Sequence, residues 1–179
     1  MGVSEPSAIT LSPAAQVLVA MLRAQQAVSA KLDEQLRDQI GIAHSHFDVL
    51  RAVAAADDEQ LRMADIADAM CCSRSGVTQS IDRLEQLGLV DRVRYPEDRR
   101  IVLASLTDAG RALVQRGRQI LESVAAHFVA ETLSSAETTA VAIGLAKISS
   151  AGVPDSDGHL AHQQILVQHN EHRNGVLHR

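Results

Sequence analysis

Residues 61–110 read LRMADIADAMCCSRSGVTQSIDRLEQLGLVDRVRYPEDRRIVLASLTDAG, and their pattern is the most informative about the fold. Two short segments with helical spacing lie on either side of Cys71-Cys72-Ser73. In the first segment the apolar residues recur at i, i+3, i+4 and i+7, which predicts a helix with one buried face: Met63, Ile66, Ala67 and Met70. In the second, Val77, Ile81 and Leu84 mark the buried face of another helix.

The second helix has a recognisable start and end. Ser73 is a good N-cap, because its hydroxyl accepts a hydrogen bond from the free amides of the first turn. Gly88 is a typical left-handed residue at a helix end. Two runs rich in β-branched and aliphatic residues follow, at 89–95 and 100–106, and the turn residues Pro96-Glu97-Asp98 separate them. Two short helices and a two-stranded ribbon make a winged helix-turn-helix, which reads duplex DNA.

The outward faces of the second helix and of the ribbon carry the candidate DNA-binding residues. Hydroxyl, amide and guanidinium groups pair with base edges and phosphates. On the helix these are Ser73, Arg74, Ser75, Thr78, Gln79 and Arg83. On the ribbon they are Arg92, Arg94, Arg99 and Arg100, with Asp98 placed to orient one of the last two. A solvated face and a charged tip are the plain alternatives, but four arginines beside a helix-turn-helix favour phosphate and minor-groove contact.

The same residues carry a family signature. Residues 98–110, DRRIVLASLTDAG, resemble the wing of the MarR family of transcriptional regulators, with its Asp-x-Arg and its Leu-Thr-x-x-Gly before a long helix. Residues 75–90, SGVTQSIDRLEQLGLV, are similar to the recognition helix of that family and its exit. The resemblance covers residues 12–150, and only its centre is specific. It implies a homodimeric, cytoplasmic DNA-binding regulator, often one released from DNA by a small ligand.

Composition and charge agree with one helical domain and a basic working surface. The chain has 179 residues, 46% of them hydrophobic and 2% aromatic, so one sizeable aliphatic core is expected. The formal net charge is -5, yet residues 73–118 hold nine arginines against six acidic residues. Such a distribution directs nucleic acid to one face. We expect no secretory signal or membrane helix, and two adjacent cysteines fit a reducing cytoplasm.

We divide the chain into three parts. Residues 1–11 form a flexible N-terminus, residues 12–150 a winged-helix domain, and residues 151–179 a His-rich tail. Within the domain, helices at about 12–40 and 107–150 flank a DNA-binding lobe at about 43–106. The apolar faces of these helices exceed what one small lobe covers, so we expect a homodimer that presents two recognition helices to a pseudo-palindromic operator. The predicted fold class is mainly α with a small β-ribbon.

Three further features have more than one interpretation. Arg23, His44, His46 and Arg51 are candidate ligands for a small aromatic or anionic effector, although partly exposed histidines are common without one. Cys71-Cys72 precede a helix N-terminus, which favours either redox sensing or two buried structural thiols. The tail holds His159, His162, His169, His172 and His178, in pairs that suit a transition metal or a weakly structured polar segment. We predict neither a metal site nor a cofactor.

The sequence therefore predicts a ligand-responsive repressor and no enzyme. None of the motifs GxSxG, HExxH, GxGxxG or the P-loop is present. The alternative is an enzyme or small-molecule-binding protein that retains a winged-helix fold without a DNA function. Salt-sensitive, sequence-specific DNA binding separates the two hypotheses.

Overall fold

Six α-helices and three β-strands make up the part of the chain that the computed structural model describes, residues 11–70, 72–95 and 98–151. In order they are α1 (Pro13–Ile40), α2 (His44–Ala55), β1 (Gln60–Arg62), α3 (Met63–Ala69), α4 (Arg74–Gln86), β2 (Val90–Arg94), β3 (Val102–Leu106), α5 (Asp108–Ala125) and α6 (Ser135–Ala151). A 3-10 turn follows α2 and a π-helical turn follows α5. The predicted class, mainly α with a small sheet, is confirmed.

The sheet is antiparallel with the strand order β1-β3-β2. Strands β2 and β3 form the expected hairpin, in which Arg94 lies opposite Val102. Strand β1 pairs with the other edge of β3, and Leu61 lies opposite Ala104. The expected two-stranded ribbon is present, and β1 adds a third strand that the sequence did not predict. Three residues are too few to show an alternating pattern, and β1 is a strand only because β3 offers it an edge.

The core lies where α2, α4 and the sheet meet. Phe47 and Leu50 of α2 are fully buried. So is the predicted apolar face of α4: Val77, Ile81 and Leu84. Helix α5 closes the core from outside, because a Cβ on Gly117 would lie only 2.1 Å from Cε2 of Phe47. Any larger residue at this position would push α5 away from α2.

Helix α1 is hydrogen-bonded to the start of α2. It begins at the Ser12 cap and ends at Gly41, as predicted. Helix α2 has no cap of its own, because the residue before it is Ala43. Asp33 takes that place: its carboxylate accepts hydrogen bonds from the Arg37 side chain at 2.7 Å and from the backbone N–H of His44 at 2.8 Å. Both hydrogen bonds lower the pKa of Asp33, and the bond from Arg37 has the larger effect.

The first and last helices keep apolar faces in solvent. The exposed large apolar side chains near the N-terminus are Leu11, Val17, Leu18 and Leu22, and those on α6 are Val141, Ile143, Leu145 and Ile148. Helix α6 starts with the predicted capping box, in which the Glu137 carboxylate accepts from the Ser134 N–H at 2.9 Å. Over the described ranges, no helix is long and apolar enough to cross a membrane.

Several sequence predictions fall outside the described residues. They concern the flexible N-terminus over residues 1–10, Cys71, the turn residues Pro96 and Glu97, and the tail beyond Ala151 with all five of its histidines. Among the residues that are described, no group of three or more histidine, cysteine or acidic residues has metal-binding geometry.

Candidate nucleic-acid interface

Helix α4 presents a polar face that the fold leaves in solvent. Ser73 caps the helix, as predicted, by accepting a hydrogen bond from the Gly76 N–H at 3.2 Å. The Thr78 hydroxyl donates to the Arg74 carbonyl at 2.9 Å, which fixes its side-chain rotamer. The predicted contact residues on this helix are all exposed: Ser73, Arg74, Ser75, Thr78, Gln79 and Arg83. The opposite face of α4 is packed in the core, which fixes the position of this exposed face.

Arg92 lies between the wing and the recognition helix. Its guanidinium contacts the carboxylates of Asp82 and Glu85 on α4, and only 27% of its side chain is exposed. Partial burial disfavours the charge of Arg92, but the hydrogen bonds and charges of the two carboxylates outweigh burial and raise its pKa. Arg92 thus joins β2 to α4, whereas Arg94 on the same strand is exposed.

Asp98 organises the backbone of the wing turn. Its Oδ1 accepts a hydrogen bond from the backbone N–H of Arg100 at 3.0 Å, and its carbonyl accepts from the Ile101 N–H at 2.9 Å. We expected Asp98 to orient Arg99 or Arg100, and the structure shows its carboxylate bonded to the backbone of Arg100. The side chains of Arg99 and Arg100 extend into solvent. Asp98 therefore fixes the backbone of the turn that carries Arg99 and Arg100, and it does not hold their guanidinium groups.

A groove of about 500 Å³ separates α4 from the wing. It is lined by Arg62, Met63, Ala64, Arg74, Thr78, Arg100, Ile101 and Val102. The groove brings Arg74 and Thr78 of the helix to the same surface as Arg100 of the wing. It adds Arg62, which sequence analysis missed because this residue belongs to neither the recognition helix nor the hairpin. The available signal was an arginine at the N-cap of α3, where Ser, Thr, Asp or Asn is usual.

The four candidate effector ligands do not all converge within one chain. His44 Nε2 lies 3.1 Å from Asp48, and Arg51 also contacts this carboxylate, at 3.4 Å. His46 is half-buried, and burial followed by the charges of Arg83 and Arg37 lowers its pKa. Arg23 precedes the α1–α2 contact at Asp33 by ten residues, which is about 15 Å along the helix axis.

A second depression lies near this region, between the end of α1 and α5. Its volume is about 200 Å³. Gln39, Ile40, Arg116, Gln119, Ile120 and Ser123 line it. None of the four candidate effector ligands is among these residues. Arg116 donates a hydrogen bond to the Gln39 carbonyl at 2.7 Å, so its guanidinium is already engaged by the protein.

Cys72 lies at the surface of the turn between α3 and α4. Its backbone N–H donates to the Ala67 carbonyl at 3.1 Å, and its thiol is free and exposed. The interpretation of two buried structural thiols is therefore wrong for Cys72. The residue follows the last turn of α3, where the chain leaves the core to begin the recognition helix.

Comparisons with known proteins agree with this geometry. Residues 40–101 match the sequence model of the MarR family. A MarR family transcriptional regulator from Streptomyces coelicolor, Sco3205, solved in complex with DNA, superposes with a TM-score of 0.74. Its sequence is 25% identical, and the match covers 85% of this chain and 94% of that one. The chain is similar to MarR-family transcriptional regulators in sequence over residues 40–101 and in fold over most of its length.

Other relatives extend the match across the MarR fold. BpsR of Bordetella bronchiseptica, whose DNA binding is regulated by 6-hydroxynicotinic acid, is 28% identical with a TM-score of 0.68, covering 83% of this chain and 99% of BpsR. The Bacillus subtilis regulator YfiV is 38% identical over 95 residues, which is 51% of this chain and 56% of YfiV. The B. subtilis repressor MdtR is 34% identical over 93 residues, 44% of this chain and 60% of MdtR. The chain spans about half the length of the curated relatives it matches. These relatives are transcriptional regulators and not enzymes.

Proposed function

We propose that this protein is a MarR-family transcriptional regulator that binds duplex DNA with α4 and the wing. The groove between them is the observation that carries the proposal, since Arg74 and Thr78 on α4 line it together with Arg100 of the wing. An α-helix fits the major groove, and a basic arm reaches the adjacent minor groove. Helix α4 and the wing of one chain can therefore enter the major groove and the adjacent minor groove of the same DNA duplex.

The residue roles follow from where each side chain lies. Arg74, Thr78 and Gln79, exposed on α4, read base edges, with Ser73, Ser75 and Arg83 at the ends of that face contacting backbone. Arg94, Arg99 and Arg100 contact phosphates and the minor groove. Asp98 acts by shaping the turn. Arg92 was expected to contact DNA. Because its guanidinium binds the carboxylates of Asp82 and Glu85, we propose instead that it holds the wing against α4.

Fluorescence anisotropy with a labelled duplex from the protein's own upstream region tests the proposal. We expect tight binding to this duplex and weaker binding to a scrambled duplex of the same length. The logarithm of the affinity should fall linearly with the logarithm of the salt concentration, because bound phosphates release counter-ions. Equal binding to both duplexes, or none to either, would favour the alternative of a winged-helix protein without a DNA function.

We further propose that the protein acts in the cytoplasm as a homodimeric repressor on a pseudo-palindromic operator. The exposed apolar faces of α1 and α6 support a second chain as their partner, since burying Leu18, Leu22 and Leu145 removes apolar area from water. The repressor role is suggested by the name of MdtR. Light scattering should give twice the mass of one chain, and Leu18→Glu with Leu22→Glu should reduce it to that of one chain. A parent protein that is monomeric would contradict the dimer.

A small aromatic or anionic effector is the last part of the proposed function. BpsR supports it by analogy. The imidazole and guanidinium groups near the α1–α2 junction supply hydrogen-bond donors: His44, His46 and Arg51 from one chain, with Arg23 joining from a second chain. An effector that lowers operator affinity tenfold needs ~1.4 kcal/mol of coupling, and operator DNA must weaken effector binding by the same factor.

Calorimetry with 6-hydroxynicotinic acid and other aromatic carboxylates tests the effector site. We expect binding that operator DNA weakens and that His46→Ala reduces. The control is Arg118→Ala, which changes an exposed residue on α5. Effector affinity that responds to neither the DNA nor the histidine would remove this site from the proposal.

A further inference from the structure

Arg62 enters the DNA-facing groove from outside the helix-turn-helix and its hairpin. It is the last residue of β1, and it lines the groove beside Arg74 and Arg100. Its guanidinium carbon lies 5.8 Å from the centre of the Tyr95 ring, at the end of the β2 arm. This distance is within the range of a cation–π contact, which orients the guanidinium while leaving its donors available.

The groove concentrates positive charge without compensating it. Three elements contribute one arginine each, and none of the eight lining residues is acidic. Among the described residues, no ion pair involves Arg62, Arg74 or Arg100. Four other arginines of the described residues do form ion pairs: Arg37, Arg51, Arg92 and Arg111. Three like charges around one cavity repel one another, and an anion in the cavity offsets that repulsion.

The position of the groove identifies the anion. If α4 lies in the major groove and the wing in the next minor groove, one sugar–phosphate strand separates them and must pass between the two elements. We propose that Arg62, together with Arg100, binds a backbone phosphate of that strand, next to Arg74, which reaches the base edges from α4. The inference rests on the proposed function. It adds a contact that fixes the distance of the duplex from β1 and carries no base preference.

The expected effect of Arg62→Ala is a uniform loss of affinity. Operator and scrambled duplex should weaken by the same factor, roughly fivefold to tenfold at 0.1 M salt, and the salt slope should fall by about one, because one phosphate contact is lost. Arg62→Lys should recover part of the affinity. Arg118→Ala is the matched control: it removes an exposed arginine from α5, about ten residues or 15 Å along that helix from its wing-proximal start.

Methylphosphonate scanning identifies the contacted phosphate. Each phosphate near the boundary between the two grooves is replaced in turn by a neutral methylphosphonate, and the affinities of the parent and of Arg62→Ala are compared. We expect one position that weakens the parent but has little further effect on Arg62→Ala. If every position weakens both proteins equally, Arg62 does not bind a backbone phosphate. Thermal unfolding of Arg62→Ala should match the parent, so that a folding defect is distinguished from a lost contact.

Two other outcomes are distinguishable. If the parent binds no duplex specifically, the proposed function fails before Arg62 is tested. If inorganic phosphate binds the DNA-free parent saturably at millimolar concentration, Arg62→Ala abolishes that binding, and no methylphosphonate position is coupled to Arg62, the groove holds a free small anion. That result would overturn the assignment to the DNA backbone.

Discussion

The carboxylate of Asp33 in α1 accepts a hydrogen bond from the backbone N–H of His44 at 2.8 Å, so the long N-terminal helix caps the first helix of the DNA-binding lobe. A negative charge near a helix N-terminus also interacts favourably with the helix dipole. The contact links α1, which carries the exposed apolar face, directly to the helix that supports the core under α4. The element on which α4 packs is therefore hydrogen-bonded directly to α1.

Removing this cap should destabilise the protein. We expect Asp33→Ala to lower the free energy of unfolding by ~1 kcal/mol, as loss of an N-cap does, and Asp33→Asn to lower it less. The pKa of Asp33 is lowered in the folded state, so its contribution is present at neutral pH and is lost as the pH falls through that lowered value. Urea titration measures the effect, with Asp38→Ala on the same helix as control. Equal losses from both variants would show that the cap contributes nothing.

Arg92 should behave as a structural residue that also affects DNA binding. Arg92→Ala leaves Asp82 and Glu85 without their partner, and we expect it to lower the free energy of unfolding by roughly 1 kcal/mol. A double-mutant cycle with Asp82→Ala should reveal coupling between the two residues. Arg94→Ala, two residues along the same strand, is the control and should leave stability nearly unchanged. If Arg92→Ala only reduces the salt slope, Arg92 contacts phosphate as first expected.

Substitutions on α4 and substitutions on the wing should change DNA binding in different ways. Gln79→Ala should change which base is preferred at one operator position, by about 1–3 kcal/mol of discrimination. Arg94→Ala should weaken binding to all sequences and reduce the salt slope. Binding to a library of single-base operator variants measures both effects. An unchanged base preference in Gln79→Ala, with an altered one in Arg94→Ala, would reverse the two roles.

His46 should make stability depend on pH. Its pKa is lowered in the folded protein, by burial first and then by the charges of Arg83 and Arg37. The unfolded chain therefore binds the proton more readily than the folded chain as the pH falls below about 6.5, and stability declines until the lowered pKa is passed. His46→Gln should remove this part of the pH dependence. Identical pH profiles for His46→Gln and the parent, measured by denaturant titration between pH 5 and 8, would contradict it.

Local signals in the sequence predicted the recognition helix well. The Ser73 cap and the 3.6-residue spacing of Val77, Ile81 and Leu84 lie within the helix they define, and the structure confirms both. The hairpin was also predictable, because its strands are consecutive and a turn separates them. The Ser134–Glu137 capping box was found on the same grounds.

Non-local pairing explains what the sequence did not reveal. Strand β1 exists because its backbone pairs with β3, which lies far along the chain. The partners of Arg92 are on a different element, so a hairpin rich in arginine gave no sign that one of them faces the protein. Arg62 is adjacent to Tyr95 and Arg100 only after the sheet forms. The count of charged residues indicated a basic surface, but only the fold shows which arginines are engaged by carboxylates of the protein itself.

The affinity of a wing variant for operator DNA shows whether the wing contacts the duplex. Arg99→Ala with Arg100→Ala removes two exposed cations from the wing without touching the core, and Arg118→Ala removes one from α5. We expect the double variant to bind the upstream duplex at least about tenfold more weakly than the parent, with unfolding unchanged. The Arg118→Ala control should bind as the parent does. Full-strength binding by the double variant would show that the wing does not contact DNA.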